Sequence, residues 1–249
     1  MVWASAKQPA GKPVTRIEDG FLRSRGLGAD LVPPLSLICD DLGIYYDPSQ
    51  ESRLERILLK MPPLRADQIR RIQTLQRRLI DHDLTKYNLH RAYNLQQKTS
   101  CILVPGQVAD DASVLCGGGP KGDNLSLLKR VRNANPNAFI LFKPHPDVES
   151  NLRLGALPKK TILRFADNCL ENCGAAQALR SCDAVHTGTS LMGFEALLRG
   201  ISVTTYGQPF YAGWGLTNDL GPRITRRKPG LTLLEFLYGC LILYPRYFD

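Results

Sequence analysis

Three apolar runs in this chain of 249 residues end on polar groups able to hold a charged ligand. Ala138–Phe142 runs into Lys143-Pro144-His145-Pro146, and Cys101–Val104 runs into Gln107, Asp110 and Asp111. Asp183–Val185 runs into His186, Thr187, Thr189 and Ser190. A lysine or histidine fixed at a strand end can bind phosphate and stabilise a leaving group. The prolines flanking His145 hold that backbone extended. Thr187-Gly188-Thr189-Ser190 precedes an apolar helix, whose open N–H groups suit a phosphate. A serine there also serves as an ordinary cap. Glu195, inside that helix, can reach a ribose diol from the same rim, or is there as a good helix former.

Two acidic pairs, Glu18-Asp19 and Asp110-Asp111, offer carboxylates side by side. Glycosyl transfer needs one carboxylate as nucleophile or base, and often a second acid or base opposite it. Such pairs also occur as solvated turns, and a hard cation is a further use for them. The run Gly117-Gly118-Gly119-Pro120-Lys121-Gly122 is not a Walker loop, because no Gly-Lys-Ser/Thr follows at the required spacing. Arg25-Gly26-Leu27-Gly28 lacks the third glycine of a dinucleotide fingerprint. Both read as flexible loops.

Convergence of three strand ends on one rim requires a particular scaffold. From Cys101 onward, strands (Cys101–Val104, Ala138–Phe142, Asp183–Val185, Val203–Tyr206) alternate with helices (Asn124–Asn135, and Ser190–Arg199 closed by Gly200). That alternation predicts parallel pairing and a Rossmann-like α/β domain, with ligands beyond the carboxyl ends of the strands. The first hundred residues give weaker signals. Val14–Ile17 reads as a strand, and Leu35–Ile38 with Ile44–Tyr46 reads as a hairpin around Asp40-Asp41-Leu42-Gly43. Ser52 and Glu55 resemble a capping box opening a helix that Pro62-Pro63 stops. A second helix is expected from about Ala66 to Leu84, with Ile69, Ile72, Leu75 and Leu79 on one stripe. A last helix is expected from Thr232, capped reciprocally by Glu235.

Composition narrows the class. The chain is 43% hydrophobic and 22% charged, ordinary for a globular protein. Its 32 basic and 23 acidic residues give +9, which favours polyanions: nucleic acid, an anionic membrane surface, or phosphorylated and acidic sugars. The densest basic clusters are Arg65–Arg78, which also suits a solvated helix face, and Arg223–Lys228. A nucleic-acid binder would rest on net charge alone and is set aside. Seven cysteines without a CxxC pair argue against a disulfide framework or zinc site and for a reducing cytoplasm. Leu233–Tyr244, the longest apolar candidate, is shorter than the roughly 18–20 residues of a membrane helix and contains Glu235. Met1–Gly11 lacks the apolar core of a secretory signal.

Taken in order, the motifs resemble the KpsC-type capsule polysaccharide β-Kdo glycosyltransferases. The resemblance is carried by Arg16-Ile-Glu-Asp-Gly-Phe-Leu-Arg-Ser24, by Gly26 to Ser36 and by Gly43-Ile-Tyr-Tyr-Asp47. Val104-Pro-Gly-Gln-Val-Ala-Asp-Asp-Ala-Ser113, Lys143-Pro-His-Pro-Asp147 and His186-Thr-Gly-Thr-Ser190 continue it. Gly193-Phe-Glu-Ala-Leu-Leu-Arg-Gly200 and Tyr206-Gly-Gln-Pro-Phe-Tyr-Ala-Gly-Trp-Gly-Leu-Thr217 complete it. The Val104-Pro-Gly-Gln wording resembles the second of the two tandem modules that family members usually carry.

The resemblance implies a GT-B-like α/β fold of two Rossmann-like domains, the N-terminal one incomplete. Residues 1–98 would form a partial acceptor-side domain, 99–222 the nucleotide-sugar domain and 223–249 a C-terminal helical tail. It implies a retaining β-Kdo transferase that uses CMP-Kdo, without cofactor or metal, to build a poly-Kdo linker on a phosphatidylglycerol-type lipid for capsule synthesis and export. The implied partners are CMP-Kdo, a lipid-linked Kdo acceptor, capsule assembly and export proteins, and an anionic membrane surface, with no nucleic acid. The implied location is cytoplasmic, peripheral at the inner membrane. Asp111 would be the nucleophile, with Glu18 or Asp19 the acid or base on the acceptor side. Lys143 and His145 would hold the CMP phosphate with Ser190, and Glu195 would meet the ribose. Gln107, His186 and Thr189 join the donor side, and Arg23 or another nearby cation would meet the Kdo carboxylate. The alternative is a catalytically incomplete fragment that binds nucleotide or docks on the capsule assembly complex.

Overall fold

A computed structural model describes residues 1–4, 6, 13–24, 32–86, 88, 100–119, 122–150 and 152–248. The Arg25–Gly28 loop and residues 120–121 of the glycine-rich run lie outside these. The elements begin with β1 (Val2–Trp3), β2 (Arg16–Asp19), β3 (Ser36–Asp40), α1 (Arg53–Leu59) and α2 (Ala66–Asp81). Next come β4 (Cys101–Pro105), α3 (Ala112–Gly117), α4 (Asn124–Ala134), β5 (Phe139–Lys143), α5 (Pro146–Glu149) and α6 (Lys159–Ile162). There follow β6 (Asn168–Cys169), α7 (Ala175–Arg180), β7 (Ala184–Thr187), α8 (Met192–Leu198), β8 (Ser202–Thr205) and β9 (Asn218–Asp219). The chain closes with α9 (Leu233–Tyr238), a π-helical turn at Gly239–Leu243 and β10 (Pro245–Tyr247).

The expected parallel sheet is present, in the order β6-β5-β4-β7-β8-β9, with every pair parallel. Counted from β4 this is the doubly wound order, and it reverses between β4 and β7, where such sheets open a crevice. Continuous apolar runs suit a sheet covered on both faces. Cys101 and Leu103 of β4 enter one core, while Ile102 and Val104 enter the other. The first core extends without a break into the N-terminal elements through Ile38, Leu54 and Leu58. It gathers α8, α9 and the π-helical turn as well, so the two sheets share one apolar centre.

The N-terminal sheet is mixed, in the order β1-β2-β3-β10, with only β1 and β2 parallel. The hairpin expected at 35–46 does not form. Buried Asp40 prevents it: Oδ1 accepts from the Leu42 and Gly43 amides at 2.9 and 3.0 Å, curling the chain away. Its Oδ2 accepts from the Arg53 amide at 2.8 Å and the Tyr244 hydroxyl at 2.7 Å. Ile44–Tyr46 therefore turns into the core, and β3 takes β2 and β10 as neighbours.

Local signals hold at most helix ends. Ser52 accepts from the Glu55 amide at 3.1 Å, but the Glu55 carboxylate does not complete the box. It is drawn instead to Arg227, at 2.7 Å, and Arg226, at 3.2 Å. Thr232 and Glu235 do form the reciprocal box on α9. The helix from Ala66 stops at Asp81 rather than Leu84. Among the described residues no helix is long and apolar enough to cross a membrane, and all seven cysteines are free thiols.

Candidate active site

A cavity opens where the carboxyl ends of β4, β5 and β7 face the N-terminal sheet. Gln107 and Asp111 line it after β4, Lys143 and His145 after β5, and Thr189, Ser190 and Glu195 after β7. Glu18 enters from β2 on the opposite side. Three predicted strand ends thus meet at one rim, and a carboxylate from the other sheet joins them.

Asp111 is the N-cap of α3. Its Oδ1 accepts from the Ser113 amide at 2.9 Å and the Ser113 hydroxyl at 2.6 Å. Among the described residues those bonds fix the carboxylate through one of its oxygens. Glu18 is pushed above the usual carboxylate range, chiefly by burial, with the charges of Asp19 and Asp111 acting in the same direction. A carboxylate of raised pKa is a competent proton acceptor near neutral pH.

The other member of each acidic pair points elsewhere. Strand alternation turns Asp19 away from Glu18, and its Oδ2 binds Arg23 Nε at 2.5 Å. Arg23 also donates to the Ser24 hydroxyl at 2.8 Å, is 6% exposed and does not line the cavity. Asp110 is held at the surface by Arg153 at 3.0 Å.

On the donor side, Lys143 is only 2% exposed and its Nζ donates to the Pro144 carbonyl at 3.1 Å. His145 is the N-cap of α5, its Nδ1 accepting from the Asp147 amide at 3.2 Å. That bond requires an unprotonated Nδ1 and leaves the proton on Nε2. Burial, followed by the Lys143 charge, lowers the His145 pKa to about 4. A neutral imidazole N–H and a buried ammonium stand side by side, a pairing suited to phosphate.

Gln107 organises the loop after β7. Its Oε1 accepts from the Thr189 amide at 2.8 Å and the Ser190 amide at 3.1 Å. Its buried Nε2 has no partner among the described residues. The amides expected to greet a phosphate are therefore occupied by a side chain from the loop after β4. The Ser190 hydroxyl accepts from the Met192 amide at 3.3 Å, and its carbonyl accepts from Tyr211 at 2.6 Å. Gly193 permits that contact, because a Cβ there would lie 2.3 Å from the Tyr211 hydroxyl oxygen.

His186 is not part of the cavity. It alternates with Thr187 along β7 and faces the second core, where its Nδ1 lies 3.2 Å from the Tyr206 hydroxyl. Its pKa is likewise lowered to about 4 by burial.

Several lining residues were not singled out from the sequence. Tyr45, Tyr46 and Phe210 form an aromatic wall, with Phe21 stacked on Phe210 at 4.6 Å and Tyr45 edge-on to Phe210 at 5.3 Å. The tyrosines and Phe210 stand in the motifs Gly43–Asp47 and Tyr206–Thr217, the only signal they gave. Lys86 gave none. It reaches the cavity because its backbone is gripped from both sides: Glu195 Oε1 accepts its amide at 2.8 Å, and its carbonyl accepts from the Arg23 and Ser24 amides, each at 3.2 Å. Glu195, expected to meet a ribose, thus commits one oxygen to this anchor.

Comparison with known proteins gives the family and the fold. Residues 3–99 and 63–247 match the family described as Capsule polysaccharide biosynthesis protein. The Capsule polysaccharide modification protein LipA of Neisseria meningitidis serogroup B is 48% identical over 237 residues, covering 94% of this chain and 33% of that protein. The Lipopolysaccharide-processing protein LpsZ of Rhizobium meliloti is 39% identical over 241 residues, 94% of this chain and 54% of that protein. The chain thus spans between a third and about half of these relatives. Among solved structures, the Thermosulfurimonas dismutans KpsC beta Kdo 2,4 transferase superposes with a TM-score of 0.85 at 34% identity, over 94% of this chain and 74% of that one. The beta Kdo 2,7 transferase of the same organism gives 0.81 at 37%, over 99% and 76%. A parallel sheet of doubly wound order facing a second sheet across this cleft is the GT-B-like arrangement of those structures, and the chain belongs to the KpsC-like capsule polysaccharide biosynthesis family.

Proposed function

We propose that this chain is a glycosyltransferase module of capsule polysaccharide synthesis that transfers Kdo from CMP-Kdo to a lipid-linked Kdo acceptor with retention. The observation that carries this is one cavity holding Asp111 and Glu18 from opposite sheets, beside Lys143 and His145. Kdo transferases among its structural neighbours support the sugar. Residues 99–222 supply the donor side and residues 1–98 the acceptor side, the last stretch from Arg223 bracing both.

In the first step an oxygen of Asp111 attacks the anomeric carbon, and the bond to the CMP phosphate breaks. Lys143 and the His145 Nε2–H stabilise the departing phosphate, so no acid is needed. In the second step Glu18, as carboxylate, takes the proton of an acceptor hydroxyl. That oxygen displaces Asp111 from the anomeric carbon, and two inversions give retention. Glu18 rather than Asp19 has this role, because Asp19 is engaged by Arg23. The counter-charge for the sugar carboxylate comes from Lys86 rather than Arg23, which lies outside the cavity. The aromatic wall of Tyr45 and Phe210 covers the apolar faces of the ligand.

The test is incubation with CMP-Kdo and a Kdo-glycoside acceptor. Release of CMP with a lengthened glycoside, abolished in Asp111→Asn, is the expected result. Absence of transfer, or transfer undiminished in Asp111→Asn, refutes the mechanism.

A further inference from the structure

A tyrosine carries its polar atom on an apolar ring, so burying the ring leaves an O–H that needs a partner. Within this chain Tyr206 meets His186, Tyr238 meets Gln68 and Tyr244 meets Asp40. Tyr211 and Tyr247 donate to the Ser190 and Leu241 carbonyls. Among the described residues the tyrosines whose hydroxyls find no protein partner are Tyr45 and Tyr46, and both line the cleft.

The place of the Tyr46 ring owes nothing to its hydroxyl. Asp40 holds the Leu42 and Gly43 amides, which turns the following segment inward, and the Asp47 amide closes a turn on the Ile44 carbonyl at 3.1 Å. The ring then packs edge-on against Tyr45, with centroids 5.3 Å apart at 81°, and the residue is 8% exposed. Its hydroxyl has therefore given up water without gaining a bond inside the protein, which a polar ligand in the cleft would supply. Burial raises the pKa of both phenols, so each stays an O–H donor at neutral pH.

The two phenols face different neighbours. Of the surrounding charges, Lys86 acts most on Tyr45, whereas Glu18 acts most on Tyr46, with Asp111 also within range. Tyr46 thus stands on the N-terminal side of the cleft, with the carboxylates given to the second step of transfer, and opposite Lys143 and His145. We infer that the Tyr46 hydroxyl is a ligand for the acceptor sugar, donating to an acceptor oxygen beside the hydroxyl that Glu18 deprotonates. A fixed O–H there orients the incoming hydroxyl toward the anomeric carbon and favours it over water. The assignment rests on the transfer reaction proposed above and names the residue that positions its second substrate.

Calorimetry on the unmodified chain and on Tyr46→Phe tests it, with a Kdo-glycoside and with CMP as separate ligands. Loss of one neutral hydrogen bond should weaken glycoside binding about three- to tenfold, while CMP binds as before and shows the variant to be folded. In turnover with CMP-Kdo, KM for the glycoside should rise by the same factor and KM for CMP-Kdo should hold. A larger share of the sugar should then pass to water as free Kdo. Tyr247→Phe, which loses a hydroxyl bonded to the Leu241 carbonyl outside the cleft, should leave glycoside binding unchanged. Equal glycoside binding by the unmodified chain and Tyr46→Phe overturns the inference, as does an equal loss of CMP affinity or no glycoside binding by the unmodified chain. Glycoside binding without transfer by the unmodified chain would count against the reaction alone, and the binding comparison would still decide the role of Tyr46.

Discussion

Glu195 Oε1 accepts the backbone N–H of Lys86 at 2.8 Å across 109 residues of sequence. The buried carboxylate of α8 thereby sets the position of a cation in the cavity, and burial in turn raises its own pKa. Lys86→Gln keeps the backbone anchor and removes the charge. A lost charge-assisted bond costs about 1.5–3 kcal/mol, so KM for an acidic-sugar donor should rise about ten- to a hundredfold. CMP alone should bind as before in calorimetry. An equal loss of CMP affinity would place Lys86 on the phosphate instead.

Arg227 and Glu55 form a buried pair at 2.7 Å, with side chains 1% and 4% exposed. Arg227 also donates to the Pro209 and Ala212 carbonyls at 2.5 and 2.9 Å, holding the loop that carries Phe210 into the cavity. Removing Arg227 leaves buried Glu55 with the more exposed Arg226 alone and takes the donor from two carbonyls, and breaking a buried pair typically costs about 3–5 kcal/mol. Arg227→Met should lose stability of that order in urea unfolding. A change below about 1 kcal/mol would show that the pair is not structural.

His145 and His186 share an acid limb of stability. Both are held near 4 in the folded chain against 6.5 ordinarily, so folding keeps them neutral while the unfolded chain takes up protons. Their contribution is complete above about 6.5 and is lost as pH falls toward 4. His145→Asn should flatten that limb in urea unfolding measured across this range. An unchanged slope would mean that His145 titrates normally. Since its Nδ1 caps α5, protonation also costs that bond.

The doubly wound sheet was legible because its strands are continuous apolar runs, and three of them lead into Gln107, Lys143 and Thr187 as drawn from the sequence. Asp111, His145 and Glu195 came with those ends. Alternation decided what the sequence left open, placing Glu18 inside and turning Asp19 and His186 away. The first hundred residues were less readable because long-range bonds override local pattern there. Asp40 is committed to Tyr244 and Glu55 to Arg227, partners over 170 positions distant, which no local signal reveals. Lys86 was invisible for the same reason, its place being set by Glu195 and Arg23.

Asp111 is the point on which covalent transfer turns. Asp111→Asn retains a cap acceptor for α3, so loss of function in that variant reports chemistry rather than unfolding. Intact-protein mass measurement after mixing with CMP-Kdo, without acceptor, is the most direct measurement. One Kdo residue should add to the unmodified chain, map to the peptide containing Asp111 and be absent from Asp111→Asn. CMP release with no adduct at Asp111, together with continued turnover by Asp111→Asn, would contradict the covalent mechanism.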